Sequence, residues 1–410
     1  MSTSEGRTEQ VIRAWSHAVD AAGPGGRAPA FPFAEATAAI RAHGTGDLPA
    51  ELAEVLVDAA QVARSRAGEP LGESWFTDRW LRSATMTATG TESYEAYTMC
   101  GLFDQYCRSG ADDYQQRGRL LSAVLTADLI RHELDLDRGD QPHGRATAAA
   151  RLAGDLCRAV RPGGGPSRPL GHDAALRLCT RLSRRLCRTQ PPVLRRIVDC
   201  TPLPATAEPD EYLFTRSVQV MEVLSAVAAE HATEAKRSAP HQPGGLLPRL
   251  HAVAETLGHA TRIFHLLSTL DADQFAHIRA ATYGTGALQS PAFAALERCC
   301  RGEQALRPET LEAVPLDRSP LPDMPLGQAL TALRGRLDRE GAARLDEAVA
   351  AVDSAWLHWK RTHRGVARRI IGDVPGTGGT DGLAYLGRHL DTPLLTHHEQ
   401  EEAPGGPHEP

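Results

Sequence analysis

The sequence predicts an all-α protein, and three observations carry that prediction. Alanine, leucine and arginine dominate while valine and isoleucine are sparse, a mixture that favours helix throughout. Several stretches place apolar residues at steps of three and four, the spacing of one helical face. No run of alternating β-branched residues marks a strand, and no internal repeat is visible.

Taken in order, the first helix spans about Glu5 to Ala22, and GPGGRAPAFP after it reads as a linker. From Phe33 to about Leu134, helical patterns alternate with short Gly, Pro and Asp breaks. RLLSAVLTADLIRHEL, beginning at Arg119, is the clearest amphipathic helix among them. RPGGGPSRPL, residues 161–170, is a flexible break, and the Arg-rich CTRLSRRLCR after it is a helix. TPLPATAEPD, ending at Asp210, reads as a second linker. Four helices follow, over Glu211 to about Arg237, Leu247 to Leu270, Pro291 to Arg301, and about Ala342 to Ile371. The expected division is a helical N-terminal region at 1–200, a second helical unit at 201–395, and a disordered Glu/Pro/Gly/His tail at 396–410.

At 410 residues the chain can bury a large core, as two domains or one large one. The formal net charge of -6 gives no basic footprint, which argues against a nucleic-acid partner. No apolar stretch approaches the roughly 20 residues of a membrane helix, so no membrane partner is expected. MSTSEGRTEQVIRAW lacks the basic-then-apolar order of a secretory leader. None of the eight cysteines forms a CxxC pair, and a chain this long needs no disulfide staples. A reduced, cytoplasmic protein is the expectation.

The chemistry concentrates near the C-terminus. Leu345, Val349, Val352, Trp356, Trp359, His363, Val366 and Ile370 recur at steps of four and three, one stripe along a helix about 40 Å long. His363 therefore points into a core, or into something that occupies the core. A core histidine bonded to a neighbour satisfies the pattern, and so does a metal ligand, since a buried imidazole needs partners for its ring nitrogens. Zinc fits poorly: His358 lies about 140° round the helix from His363, and no HExxH or zinc-spaced cysteine pair exists. One imidazole among apolar walls suits a flat hydrophobic cofactor held by one axial nitrogen, such as haem. After the helix comes GTGGT, Gly376 to Thr380. It follows a helix and lacks a Gly-Lys-Ser/Thr end, so it is no P-loop. Its successive N–H groups can cradle an anion, or the segment can be a plain helix stop, with Gly372 as cap and Pro375 barring continuation.

WKRTHRGVARRIIGDVPGTGGTDGLAYL, from Trp359 onward, resembles the C-terminal signature of the tryptophan 2,3-dioxygenase superfamily, the histidine-ligated haem aromatic oxygenases. DEYLFTRSVQVMEVL, Asp210 to Leu224, resembles that family's distal-wall helix. LLSTLDADQFAHIRAATYGTGALQSPAFAALE, Leu266 to Glu297, resembles a third family segment, in the family's order. Together these cover about half the chain. ESYEAYTMCGLF, with Tyr94 and Tyr97, is a fainter match to a Tyr-x-x-Tyr helix at the substrate pocket, and two tyrosines so spaced also serve simple packing.

The resemblance implies an all-α bundle of the tryptophan 2,3-dioxygenase type with an additional helical N-terminal half. It implies haem b held by His363 as the iron ligand, with Trp359, Gly378 and Gly379 beside it. O2 and an aromatic amino acid are the implied reactants. Thr377, flanked by Gly376 and Gly378, would meet the substrate's amino group, and Phe214 would press on its ring. Two positions depart from the pattern. Val218 stands where the family has a distal histidine, and Ala294 stands where it has the carboxylate-binding arginine. A valine makes no hydrogen bond and an alanine pairs with no carboxylate. Arg298, one turn on from Ala294, could take over the carboxylate; Arg216 is a poorer choice, about 200° round its helix from Val218. The implied function is a haem-dependent oxygenase for tryptophan, a derivative or another aromatic amino acid, in specialised metabolism. The alternative is a non-catalytic haem- or substrate-binding protein with a degenerate site. Relatives complete their pocket with a neighbouring chain's N-terminal helix, so a homo-oligomer is expected from the resemblance.

Overall fold

The computed structural model describes residues 4–396, apart from 24–25, 27–28, 67, 111–112, 136–142, 161–176, 178–180, 182–190, 240–242, 283–284, 304–305, 307–323 and 377. The expected break at 161–170, nearly all of the Arg-rich helix after it, and the expected tail beyond residue 396 lie outside the described residues.

The described residues form sixteen α-helices and one 3-10 turn, with no strand. The N-terminal half contributes α1 (Ser4–Ala21), α2 (Phe33–His43), α3 (Ala50–Arg64), α4 (Glu73–Ala84), α5 (Tyr94–Thr98), α6 (Cys100–Arg108), α7 (Tyr114–Asp135), α8 (His143–Val160) and α9 (Pro192–Cys200). Then come α10 (Pro209–Ser238), α11 (Pro243–Leu267), α12 (Ala272–Ala281), α13 (Pro291–Arg301), α14 (Leu326–Arg334), α15 (Arg339–Ile370) and α16 (Leu383–Arg388). The bounds of α13 coincide with those read from the sequence, and α10, α11 and α15 differ only by a few residues at their ends. The short α12, α14 and α16 were not foreseen.

The helix ends follow local chemistry. Pro209 opens α10, Asp210 and Glu211 sit in its first turn, and Lys236 and Arg237 sit in its last, each charge matched to the helix dipole. Asp338 caps α15 by accepting from Gly341 N at 2.7 Å. Ser290 caps α13 by accepting from Phe293 N at 3.1 Å, and Gly302, at φ 88°, ends it.

Helix α10 runs through the middle, buried on almost every side, and packs against α7, α11 and α13, while α15 lies along α11. One apolar core joins Ile12, Trp80, Phe103 and Leu125 to Leu213, Val220, Ile263 and Ile278. A second joins the C-terminal half of α10 to α11, α13, α14 and α15. The first core crosses residue 200 without a break.

The second expected linker is a correction, whereas in the first Gly26, Pro29 and Ala30 are exposed and only its end is held in the core. Phe31 is buried, and Trp15 Nε1 donates to Pro29 O at 3.0 Å. Residues 201–205 are also buried. Their proline content marks backbone that cannot be helical, not backbone that faces water. Side chains satisfy its polar groups: Arg41 donates to Thr201 O at 2.9 Å, and Glu211 accepts from Ala205 N at 2.6 Å and Thr206 N at 2.7 Å.

The last described segment is also anchored rather than loose. Asp353 on α15 accepts from Leu394 N at 2.8 Å, Leu395 N at 2.7 Å and Thr396 N at 3.1 Å. Lys360 donates to His389 O at 2.7 Å and Thr392 O at 2.9 Å. Residue 396, expected in the tail, thus belongs to a strap held on α15.

Candidate functional site

The apolar stripe of α15 changes partner halfway along. Leu345, Val352 and Trp356 are buried in the second core, whereas Trp359, His363, Val366 and Ile370 line a cavity of ≈ 310 Å³. That volume lies within the range of small-molecule sites. The facing wall comes from α10, where Phe214, Val218, Met221 and Glu222 share one face by their spacing. Phe264 of α11, Phe275 and Arg279 of α12, and Tyr94 and Tyr97 of α5 close the sides.

His363 stacks its imidazole on Phe264, with ring centres 5.1 Å apart and planes 13° apart, and lies 5.4 Å from the Trp359 ring. Phe214 meets Phe275 edge-on at 4.9 Å and Tyr97 at 6.5 Å. His358 is exposed and does not line the cavity. Among the described residues no three His, Cys, Asp or Glu side chains are grouped to hold a metal ion. The imidazoles on the cavity wall are those of His363 and His389, and only His363 stands among the aromatic and apolar side chains of the α15 stripe. That arrangement fits a flat macrocycle held through one axial nitrogen and does not fit an ion needing several protein ligands.

Comparison with known proteins points the same way over a short span. A stretch of 51 residues is 41% identical to a tryptophan 2,3-dioxygenase of Pseudomonas fluorescens, covering 12% of this chain and 18% of that protein. Another match, 46% identical over 46 residues, is to a tryptophan 2,3-dioxygenase of Caulobacter vibrioides, covering 11% of this chain and 18% of that protein. The chain thus spans less than a fifth of the length of the curated relatives it matches. No protein-family model matches it.

The cavity gathers Phe214, Val218, Trp359, His363, Gly376 and Gly378. Gly379 and Arg298 are not among its lining residues, and Thr377 lies outside the described residues. Ala294 is wholly buried and does not line the cavity either, so an arginine there would have to displace packed neighbours. Arg216 is no surface arginine. It is wholly buried, pairs with Asp128 at 2.6 Å, and donates to Val198 O at 2.9 Å and Thr201 Oγ1 at 2.9 Å.

The GTGGT loop turns in on itself. Gly376 N donates to Thr380 O at 2.9 Å and Gly379 N to Gly376 O at 3.1 Å, so these two N–H groups are already engaged. At Gly376 a Cβ would come 2.5 Å from Thr380 Oγ1, so that hydroxyl would have to turn away. The turn demands glycine at Gly382, where φ is 62° and a Cβ would come 2.2 Å from Val374 O.

Two polar residues of the wall were missed in the sequence. Arg279 reaches the cavity and donates to Pro375 O, tethering the loop; burial lowers its pKa. Glu222 is 4% exposed, and burial pushes its carboxyl up to about 7. Glu222 was legible as the acid on the face that also carries Phe214 and Val218. Arg279 lies in the quoted Leu266 to Glu297 segment, but on a short helix whose faces the sequence does not distinguish.

Proposed function

We propose that this chain is a haem-dependent oxygenase that combines O2 with an aromatic amino acid or a derivative of one, in specialised metabolism. The observation that carries the reading is His363, an imidazole on the wall of an aromatic cavity at the point where the α15 stripe leaves the core. Short matches to tryptophan 2,3-dioxygenases support it. Haem, when bound, supplies the O2 chemistry that none of these side chains can perform.

The chain's own residues have defined tasks. His363 would hold the haem iron through its imidazole, whose plane is set by stacking on Phe264. Trp359 would lie beside the bound group, and Gly376 and Gly378 would let the loop backbone approach it without side chains. Phe214, Phe275 and Tyr97 offer ring faces and edges to a flat substrate. Val218 makes its part of the α10 wall apolar, and Met221 accepts from Trp359 Nε1 at 3.4 Å, so both exclude water from the ligand. The homo-oligomer implied by the resemblance is part of this proposal, but Tyr94 and Tyr97 of the same chain already line the cavity. Pocket completion therefore gives association no necessary role.

The test is haem loading followed by product analysis. The protein should bind one haem with a histidine-ligated Soret band, and His363→Ala should lose it; an unchanged spectrum in the variant overturns the assignment. Mass analysis after incubation of ferrous protein with O2 and a panel of aromatic amino acids should show added oxygen. Haem and ligand binding without any product would leave the non-catalytic binding protein as the reading.

A further inference from the structure

The cavity holds an acid that no part of the reading above uses. Glu222 lies one turn beyond Val218 on α10, 4% exposed and facing the cavity. Tyr94 OH donates to its Oε1 at 2.5 Å. Its Oε2 is buried and has no hydrogen-bond partner. The Ser290 hydroxyl is near enough to stabilise the carboxylate form, as Tyr94 does, but does not close a hydrogen bond on Oε2. A buried carboxyl oxygen without a partner is costly, and the cost falls away once a donor arrives.

We propose that Glu222 is a specificity-determining residue whose Oε2 accepts a hydrogen bond from an N–H group of the bound aromatic ligand. Glu222 offers, one turn along α10 from Val218, the hydrogen-bond acceptor that the valine side chain lacks. An acid selects ligands bearing an amine or a ring N–H and disfavours a carboxylate at the same spot. The inference rests on the reading that the cavity takes an aromatic ligand.

The charge state of Glu222 is set by what surrounds it. Burial raises its pKa to about 7, against the opposing pull of Ser290 and Tyr94. Tyr94 and Cys100, the other titratable groups beside it, are themselves pushed up by burial, Cys100 to about 12, so both stay neutral. The charged or titratable groups lining the rest of the cavity are Arg279, Lys360, His363, His389, Tyr97 and Tyr385. Affinity for a protonated amine should therefore rise as pH increases through about 7 and Glu222 ionises.

Three probes separate the possibilities in calorimetric binding to the haem-loaded protein. Indole has a ring N–H and no amine, 2-phenylethylamine has an amine and no ring N–H, and 3-phenylpropionate has neither. Glu222→Gln should weaken indole or 2-phenylethylamine selectively, by about tenfold or more, the size of a charge-assisted hydrogen bond. Binding of 3-phenylpropionate should be unchanged or tighter. The pH dependence of the weakened probe should flatten in Glu222→Gln. In Tyr94→Phe its midpoint should move up, because a contact that lowers the Glu222 pKa is gone. A uniform effect on all three probes, or a wild-type pH profile kept in Glu222→Gln, overturns the proposal; so does a wild-type protein that binds none of them. The Soret band of each variant is read in parallel, so loss of haem, which would count against the proposed function, is distinguished from loss of N–H recognition.

Discussion

Asp128→Asn perturbs the buried ion pair that fixes α10. The Asp128 side chain is wholly buried and accepts from Arg216 Nη2 at 2.6 Å, Tyr212 OH at 2.6 Å and Arg131 Nη2 at 2.6 Å. Asparagine keeps the shape and loses the charge, leaving the Arg216 guanidinium in the core with only neutral acceptors. Removing one partner of a buried pair typically costs about 3–5 kcal/mol. The remaining bonds to Val198 O, Thr201 Oγ1 and Gln219 Oε1 keep the guanidinium partly satisfied, which places the expected loss near ~3 kcal/mol. That is a large share of the roughly 5–15 kcal/mol that holds a typical fold. Urea unfolding reads it as a lower midpoint at unchanged slope. The pH dependence has a definite sign. Burial pushes the Asp128 carboxyl up, but Arg216 and Arg131 outweigh it and hold it below the usual range. Its stabilisation is therefore present above the unfolded value of about 3.9 and is lost as pH falls through the folded value. The wild type should lose more stability on acidification across that window than the variant does. A loss below about 1 kcal/mol, or a double variant Asp128→Leu with Arg216→Met no more stable than Asp128→Asn, would refute the reasoning.

Two further outcomes follow from the geometry. Phe214→Ala should weaken aromatic ligands by about tenfold, the scale of one aromatic pair with its buried area, in calorimetric titration, while the Soret band stays that of wild type. Asp353→Asn should leave backbone N–H groups of the 394–396 strap poorly satisfied, cost about 1–3 kcal/mol locally, and show as faster limited proteolysis near Thr392.

The sequence carried the long helices because apolar residues recur along them at helical spacing, and α15 holds its stripe for many turns. It also placed His363 on its stripe, since the spacing from Trp356 and Trp359 allowed no other face. The second linker misled because proline reports what backbone cannot do and says nothing about burial. Thr201–Ala205 is buried only because Arg41, from α2, and Glu211 supply partners from elsewhere. Ala294 misled for a related reason. Helical position fixes the direction of a side chain from its axis, but how the helix packs decides which neighbour meets the cavity: Phe293 lines it and Ala294 is buried beside it. The burial of Arg216 was not legible, since its partner, Asp128, lies 88 residues earlier in the chain.

The two sides of α10 explain what residues 1–200 contribute. Phe214, Val218, Met221 and Glu222 face the cavity; Tyr212, Arg216 and Gln219 lie about half a turn round and face the N-terminal half. There Tyr212 and Arg216 bond to Asp128 of α7, and Gln219 Nε2 donates to Thr98 O at 3.2 Å. At the start of α10, Asp210 pairs with Arg145 of α8 at 2.7 Å and accepts from Asp271 N at 2.7 Å, joining α8, α10 and the cap of α12. Fixed charges on one side set the rotation of the helix about its own axis. A rotation of half a turn would carry Glu222 and Val218 out of the cavity and break every one of these bonds. The N-terminal half thus acts on the site twice, directly through Tyr94 and Tyr97 and indirectly by aiming α10. A polar network is suited to that task where apolar packing is not, because hydrogen bonds are lost over a few degrees of rotation that a greasy interface would tolerate.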